Sequence, residues 1–270
     1  MAERNLLLRI VSAAVGLPLV GLVVFWRQPL GISLLTLLVG VGALAELGAL
    51  VFPAGARGAR RTLVVLGGGL LLGLVAAPHL AHAWIVGLVV ASALFALATT
   101  REDLPAAARG FASLVAGSVY IAGPLSTFPL LHREQPFGSW WLATGLAVTF
   151  ANDTGAYFAG RAFGRHKLAP AISPGKTVEG AVGGLLAGVG VVALGSVTVF
   201  PELGLLDALV IGVGAGILGP CGDLVESLLK RAAGAKDSGR LIPGHGGLLD
   251  RLDALLFVVA FVYFYARFLR

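Results

Sequence analysis

The sequence predicts an all-α integral membrane protein, a polytopic bundle of about nine transmembrane helices with a polar site facing the cytoplasm. Three observations predict it. The 270 residues are 57% hydrophobic and only 13% charged, about half the share of charge that a soluble domain carries. The apolar residues gather in runs of about 20, the length needed to cross a bilayer. Glycine, at 39 residues, suits the close helix–helix approach used by bundles in lipid.

The first apolar run, Leu7–Trp26, follows Arg4 and is interrupted by Arg9. No small-residue cleavage site stands at a suitable distance, so a retained first span is expected rather than a secretion signal. Four more spans are expected at Leu30–Phe52, Leu63–Leu80, Trp84–Thr99 and Ala107–Leu131. The remaining four fall at Ser139–Ala162, Val178–Phe200, Leu205–Cys221 and Leu252–Leu269. No polar stretch is long enough to build its own core; the longest, 224–251, is too short. The chain therefore reads as one transmembrane domain, 1–270. Within it lie N-terminal helices (1–135), an active-site region with cytoplasmic loops (150–253) and a last transmembrane helix (252–270).

The formal charge of +6 is a matter of topology. With the N-terminus in the cytoplasm, Arg57, Arg60, Arg61, Arg101 and Arg109 are cytoplasmic, as are Arg161, Arg165, Lys167 and Lys176. So are Lys230, Arg231, Lys236, Arg240 and Arg251, while the opposite side keeps Arg27, Arg133, Arg267 and Arg270. This asymmetry obeys the positive-inside rule and predicts a cytoplasmic N-terminus; a multi-pass protein of the cell's inner membrane is expected. Nucleic acid is not needed as a partner; membrane lipids are. The lone cysteine, Cys221, excludes an intrachain disulfide and a cysteine metal cluster.

Several patterns are decoys. Gly214–Gly219 matches GxGxxG, but inside an apolar span with no βαβ context it is a helix-packing seam. Gly175-Lys176-Thr177 looks like the end of a P-loop, yet Pro170 stands where the first glycine is required. The sequon Asn152-Asp153-Thr154 lies on the expected cytoplasmic face. Gly180, Gly184 and Gly188, four residues apart, form a packing face.

The chemistry is concentrated between Gly222 and Asp253. Asp223, Glu226, Ser227 and Lys230 share one helical face, and Asp250 and Asp253 form a second i, i+3 pair. Between them, Pro243-Gly244-His245-Gly246-Gly247 requires a tight turn. Carboxylates gathered at one point repel each other unless a cation sits among them, and oxygen-only ligands suit Mg²⁺. Lys230, Arg231, Lys236, Arg240 and Arg251 are suited to phosphate oxygens. Acid, base and glycine turn together at a membrane surface suit metal-assisted phosphoryl or nucleotidyl transfer.

This segment resembles the signature of the phosphatidate cytidylyltransferase family. The likeness is carried by Ser227-x-x-Lys230-Arg231, Lys236-Asp237-Ser238-Gly239, Pro243-Gly244-His245-Gly246-Gly247 and Asp250-Arg251-x-Asp253. A second block, Ser173-Pro174-x-Lys176-Thr177-x-Glu179-Gly180, is similar to the family's SPKKTxEG element, with Gly175 departing where many relatives carry a basic residue. Asn152-Asp153-x-x-Ala156-Tyr157 resembles the polar patch that family members carry late in the preceding span. The first five spans match in hydropathy only.

The resemblance implies the reaction CTP + phosphatidate → CDP-diacylglycerol + pyrophosphate, dependent on Mg²⁺ and compatible with a second cation. It implies a metal set of Asp223, Asp250 and Asp253, with Glu226 and Asp153 beside it, and Lys230 among the catalytic groups. Arg231, Lys236, Arg251 and Lys176 are then phosphate ligands, and Ser173 and Ser227 hydrogen-bond donors. Asn152, Thr177, Glu179 and His245 are expected near substrate, and Asp237 either there or in a salt bridge that orders the loop. A homodimer is compatible with the sequence. The alternatives weighed are the same chemistry on another lipid phosphate, such as an isoprenoid ether, and a transporter using Glu46, Asp153 and Asp207. Three scattered acids without matched interrupted helices argue against the transporter. CDP-alcohol phosphotransferases and aromatic prenyltransferases space their aspartates differently from this chain.

Overall fold

The computed structural model describes residues 16, 18–100, 103–239, 241 and 246–270. It is helical apart from loops and one short hairpin. Helix α1 (18–25) ends the first expected span, half of which lies outside the described residues. It is followed by α2 (Pro29–Val51), α3 (Arg57–Ala76), α4 (Ala81–Thr99), α5 (Leu104–His132) and α6 (Gly138–Phe163). Strands β1 (Lys167–Ala169) and β2 (Ser173–Thr177) precede α7 (Val178–Thr198) and α8 (Leu205–Ala232). A 3₁₀ turn at Leu249–Arg251 leads into α9 (Asp253–Phe264), which continues as a π-helical turn over Tyr265–Leu269.

Among the described residues, six helical runs are long and apolar enough to cross a membrane: α2, α3, Pro78–Thr99, α5, α7 and α8. Their exposed side chains are those that water would reject; α4 alone presents Ile85, Val86, Val90, Leu94 and Leu97. The protein is therefore a multi-pass, all-α membrane protein. Helices α6 and α9 form where spans were expected but fall short of the same criteria. Asn152, Asp153 and Arg161 dilute α6, and α9 loses α-helical geometry after Phe264.

Two compact units make up the chain: 1–130 with 237–249, and 131–236 with 250–270. In the first, α2 and α3 pack through small residues. A side chain on Gly67 would strike Leu44 at 2.6 Å, and one on Gly48 would meet Leu63 at 3.5 Å. Arg60 closes the end of α2 by donating to the carbonyls of Phe52 (Nη2, 2.6 Å) and Ala49, a cation placed at the negative end of the helix dipole.

In the second unit, glycine governs the packing of α6, α7, α8 and α9. Gly183 of α7 abuts Ala159 of α6, and Gly184 and Gly188 face Asn152, Ala156 and Val148. The GxGxxG run is a seam: Gly214 faces Phe261, Gly216 faces Leu185 and Gly219 faces Asn152. Helix α8 runs without a break through Pro220 to Ala232, whereas the sequence suggested a span ending at Cys221. Proline costs one intrahelical donor, and its neighbours Gly219 and Gly222 are packed against α6 and α9. The hairpin was not foreseen either. It is antiparallel, with Lys167 opposite Thr177 and Ala169 opposite Ser173.

Candidate active site

The site belongs to the second unit and is built from α6, β2, α8 and the starts of α7 and α9. Helix α7 starts where Thr177, its N-cap, accepts the N–H of Gly180 at 3.1 Å. Glu179, in the first turn, accepts the N–H groups of Arg165 (3.0 Å) and His166 (3.2 Å) and pairs with the His166 ring at 2.6 Å. Thr177 and Glu179 thus fix the hairpin onto the start of α7, and β2 then carries Lys176 to the wall of a cavity.

That cavity has a volume of about 680 Å³ and is lined by Asp153, Tyr157 and Arg161 of α6, Lys176 of β2, and Asp223 of α8. Lys176 Nζ lies 2.7 Å from Asp223 Oδ2. The pair joins the two motifs that sequence reading found far apart. Ser227, one turn on, donates to Asp223 Oδ1 at 3.1 Å. Arg161 donates to the Tyr157 hydroxyl at 3.0 Å. Gly222 sets the depth of Asp223: any side chain there would collide with the backbone carbonyl of Asp253. Absence of a side chain at this position lets α8 and the start of α9 touch. Asp153 and Asp253 both lie within electrostatic reach of Asp223, and Arg251 within reach of Asp153. Asp253 also accepts the N–H of Ala254 at 2.7 Å.

Beside this cluster lies a buried ion triad. Lys230 Nζ is 2.5 Å from Glu226 Oε2 and 2.6 Å from Asp250 Oδ1. The side chains of Glu226, Lys230 and Asp250 are 0%, 11% and 9% exposed, so little water screens them. Helix α8 stops after Ala232 in a glycine cap: Gly234 takes a φ of 66°, and the Ala235 N–H reaches the Lys230 carbonyl at 2.8 Å. Arg231 Nε donates to the carbonyl of Ile172 in the hairpin turn, at 3.3 Å.

The structure therefore brings together Asp153, Lys176, Asp223, Ser227 and Asp253, and places Glu226, Lys230 and Asp250 in a neighbouring triad. Asn152 is buried at 1% exposure and donates to the Ala215 carbonyl at 3.4 Å, tying α6 to α8. Ser173 sits half-buried in β2, and Lys236 and Asp237 are exposed. His245 and Arg240 lie outside the described residues. Sequence reasoning did not single out the Tyr157–Arg161 pair as part of the site; its i, i+4 spacing next to Asp153 was the available signal.

The chemistry of the donor set suits a hard divalent cation. The three neighbouring carboxylates of Asp153, Asp223 and Asp253 repel one another and offer only oxygen. No group of three acid, histidine or cysteine side chains converges on one point among the described residues. Mg²⁺ takes one or two carboxylates and leaves its other positions to water and substrate phosphate.

A family model described as the cytidylyltransferase family matches residues 7–269. The chain belongs to the cytidylyltransferase family. A phosphatidate cytidylyltransferase of Bacillus subtilis is 41% identical over 160 residues, 57% of each chain. One of Staphylococcus saprophyticus is 45% identical over 132 residues, 49% of this chain and 51% of the relative. One of Brucella suis is 40% identical over 181 residues, 67% of this chain and 64% of the relative. The matched segment thus spans about half to two thirds of these cytidylyltransferases.

Proposed function

We propose that this family member transfers the cytidylyl group of CTP to phosphatidate, releasing pyrophosphate and forming CDP-diacylglycerol. The observation that carries the reading is the Lys176–Asp223 pair, which puts a cation and an acid from two separate motifs on one cavity wall. Family membership and the names of the relatives support it.

The nucleophile needs no activation, because a lipid phosphate is already an anion. One of its oxygens bonds to the α-phosphorus of CTP while the bond from that phosphorus to the α,β-bridging oxygen breaks, and pyrophosphate leaves. No proton has to move. The barrier is repulsion between anions, so the work of the protein is placement and neutralisation. Lys176 and Arg161 supply positive charge at the cavity wall, and Arg251 supplies it near Asp153. Asp223 and Asp253, with Asp153 beside them, are the residues that would hold Mg²⁺. When bound, the ion offsets charge on the triphosphate and its leaving group. Lys230, held between Glu226 and Asp250, keeps the ends of α8 and the 3₁₀ turn in fixed relation. Because CTP is an aqueous substrate and the basic residues cluster on this side, the site faces the cytoplasm, with the N-terminus on the same side.

The test is direct. Purified protein in detergent, given phosphatidate, Mg²⁺ and CTP labelled in cytidine, is expected to move the label into the lipid fraction in equal amount to pyrophosphate released. Pyrophosphate without lipid label, or neither product, contradicts the reading.

A further inference from the structure

Glu46 is an acid inside the apolar helix α2, 6% exposed, where an unpartnered carboxylate is costly. Its Oε2 accepts the Ser238 hydroxyl at 2.9 Å and the backbone N–H of Leu249 at 2.9 Å. Both partners belong to the polar segment 237–249 and stand at its two ends. Two glycines of that segment are shaped by the same carboxylate. A side chain on Gly239 would collide with the Glu46 carboxyl group, and one on Gly247 would approach Glu46 Oε2 at 2.6 Å and collide with the Ser238 hydroxyl. One turn earlier on the same face of α2, a side chain on Gly42 would strike Leu248 at 2.7 Å. Helix α2 thus offers a seat, small at Gly42 and acidic at Glu46, into which the glycines and Leu248 fit.

We propose that Glu46 is a positioning residue for the transfer reaction, pinning Ser238 and Leu249. The proposal rests on the function given above. Leu249 begins the 3₁₀ turn that carries Asp250, so releasing Leu249 loosens the residue before a member of the ion triad. Glu46 touches no substrate in this scheme; it acts through backbone and a hydroxyl.

The experiment uses full-length protein. Glu46→Leu removes the acceptor while keeping an apolar side chain of similar bulk. It is expected to lower kcat by about ten- to a hundredfold, the scale of a small misplacement at a reacting centre, with a smaller change in KM. Glu46→Gln keeps a carbonyl acceptor and should retain most of kcat. Trypsin cleavage after Lys236, two residues before Ser238, gives a readout independent of turnover: the Leu variant should be cut faster than wild type at equal thermal stability. Gly239→Ala should be harmful beside Glu46 and much less so in a Glu46→Ala background, where the colliding carboxyl is gone. Should Glu46→Leu fail to fold, the Gly239 and Glu46 pair decides: equal harm in both backgrounds overturns the proposal. Wild-type turnover is read first, because its absence removes the proposed function and leaves the cleavage data to judge the anchoring alone. With wild type active, a Leu variant at wild-type kcat or wild-type cleavage rate overturns Glu46 as a positioning residue.

Discussion

Replacing Lys230 with methionine is expected to destabilise the protein by about 3–5 kcal/mol, the cost of breaking a buried ion pair by removing one partner. The structure sets the size of the effect. One ammonium serves two carboxylates, at 2.5 Å and 2.6 Å, and all three groups are nearly inaccessible to water. An exposed pair of the same length would contribute at most about 1 kcal/mol. Without Lys230, Glu226 and Asp250 face each other as uncompensated buried acids. The double variant Glu226→Leu with Lys230→Met removes one of those acids along with the cation, and should recover a substantial part of the loss. The coupling between the two substitutions is expected at about 1–3 kcal/mol. Reversible unfolding in mixed micelles, with wild type and the three variants in one cycle, measures this. A Lys230→Met protein as stable as wild type, or a double variant with purely additive loss, would show that the triad is not a coupled unit.

Lys176→Gln should lower kcat/KM for CTP or phosphatidate by at least about tenfold with thermal stability unchanged, and Lys176→Arg should restore only part of it, since a guanidinium fork does not replace a compact ammonium. Steady-state kinetics beside a melting curve checks both. Gly222→Ala should lose activity and about 1–3 kcal/mol of stability, because the added carbon meets the Asp253 backbone. Gly175→Ala, with nothing within 4 Å of the new carbon, should leave both unchanged. Cysteines placed singly at Ala233 or Asp237 should label from the cytoplasmic side of intact cells; labelling from outside contradicts the orientation.

The acids and bases of the site were legible because helical spacing and glycine turns constrain one another. Asp223, Glu226, Ser227 and Lys230 at i, i+3, i+4 and i+7 fall on one face whatever the tertiary fold, and that face is the one turned to the site. Membrane sidedness put the motifs of Lys176 and Asp223 on one face, and the tertiary fold sets their contact at 2.7 Å. Thr177 and Glu179 were placed near substrate by motif; Thr177 lines the cavity, and both residues also hold the hairpin to the start of α7. Glu46 was visible as an acid in an apolar run and was weighed only as a transporter feature. Its partners, Ser238 and Leu249, lie some two hundred residues away, and no local periodicity encodes such a pairing. Continuity of α8 was hidden by Pro220, which in water ends helices more often than it is carried within them. The hairpin was hidden by Pro170 and Pro174, which lower strand propensity although only three to five residues per strand are needed here.

We propose that the carboxylates on the cavity wall serve metal-assisted cytidylyl transfer. Asp223→Asn tests it most directly, because Asp223 faces Lys176, Ser227 and the neighbouring acids at once. Purified wild type and Asp223→Asn are compared for transfer of labelled cytidine to phosphatidate across a Mg²⁺ titration. Asp223→Asn is expected to lose at least about a hundredfold in turnover that saturating Mg²⁺ does not restore, with the melting temperature preserved. Near-wild-type turnover of Asp223→Asn at saturating Mg²⁺ would contradict it.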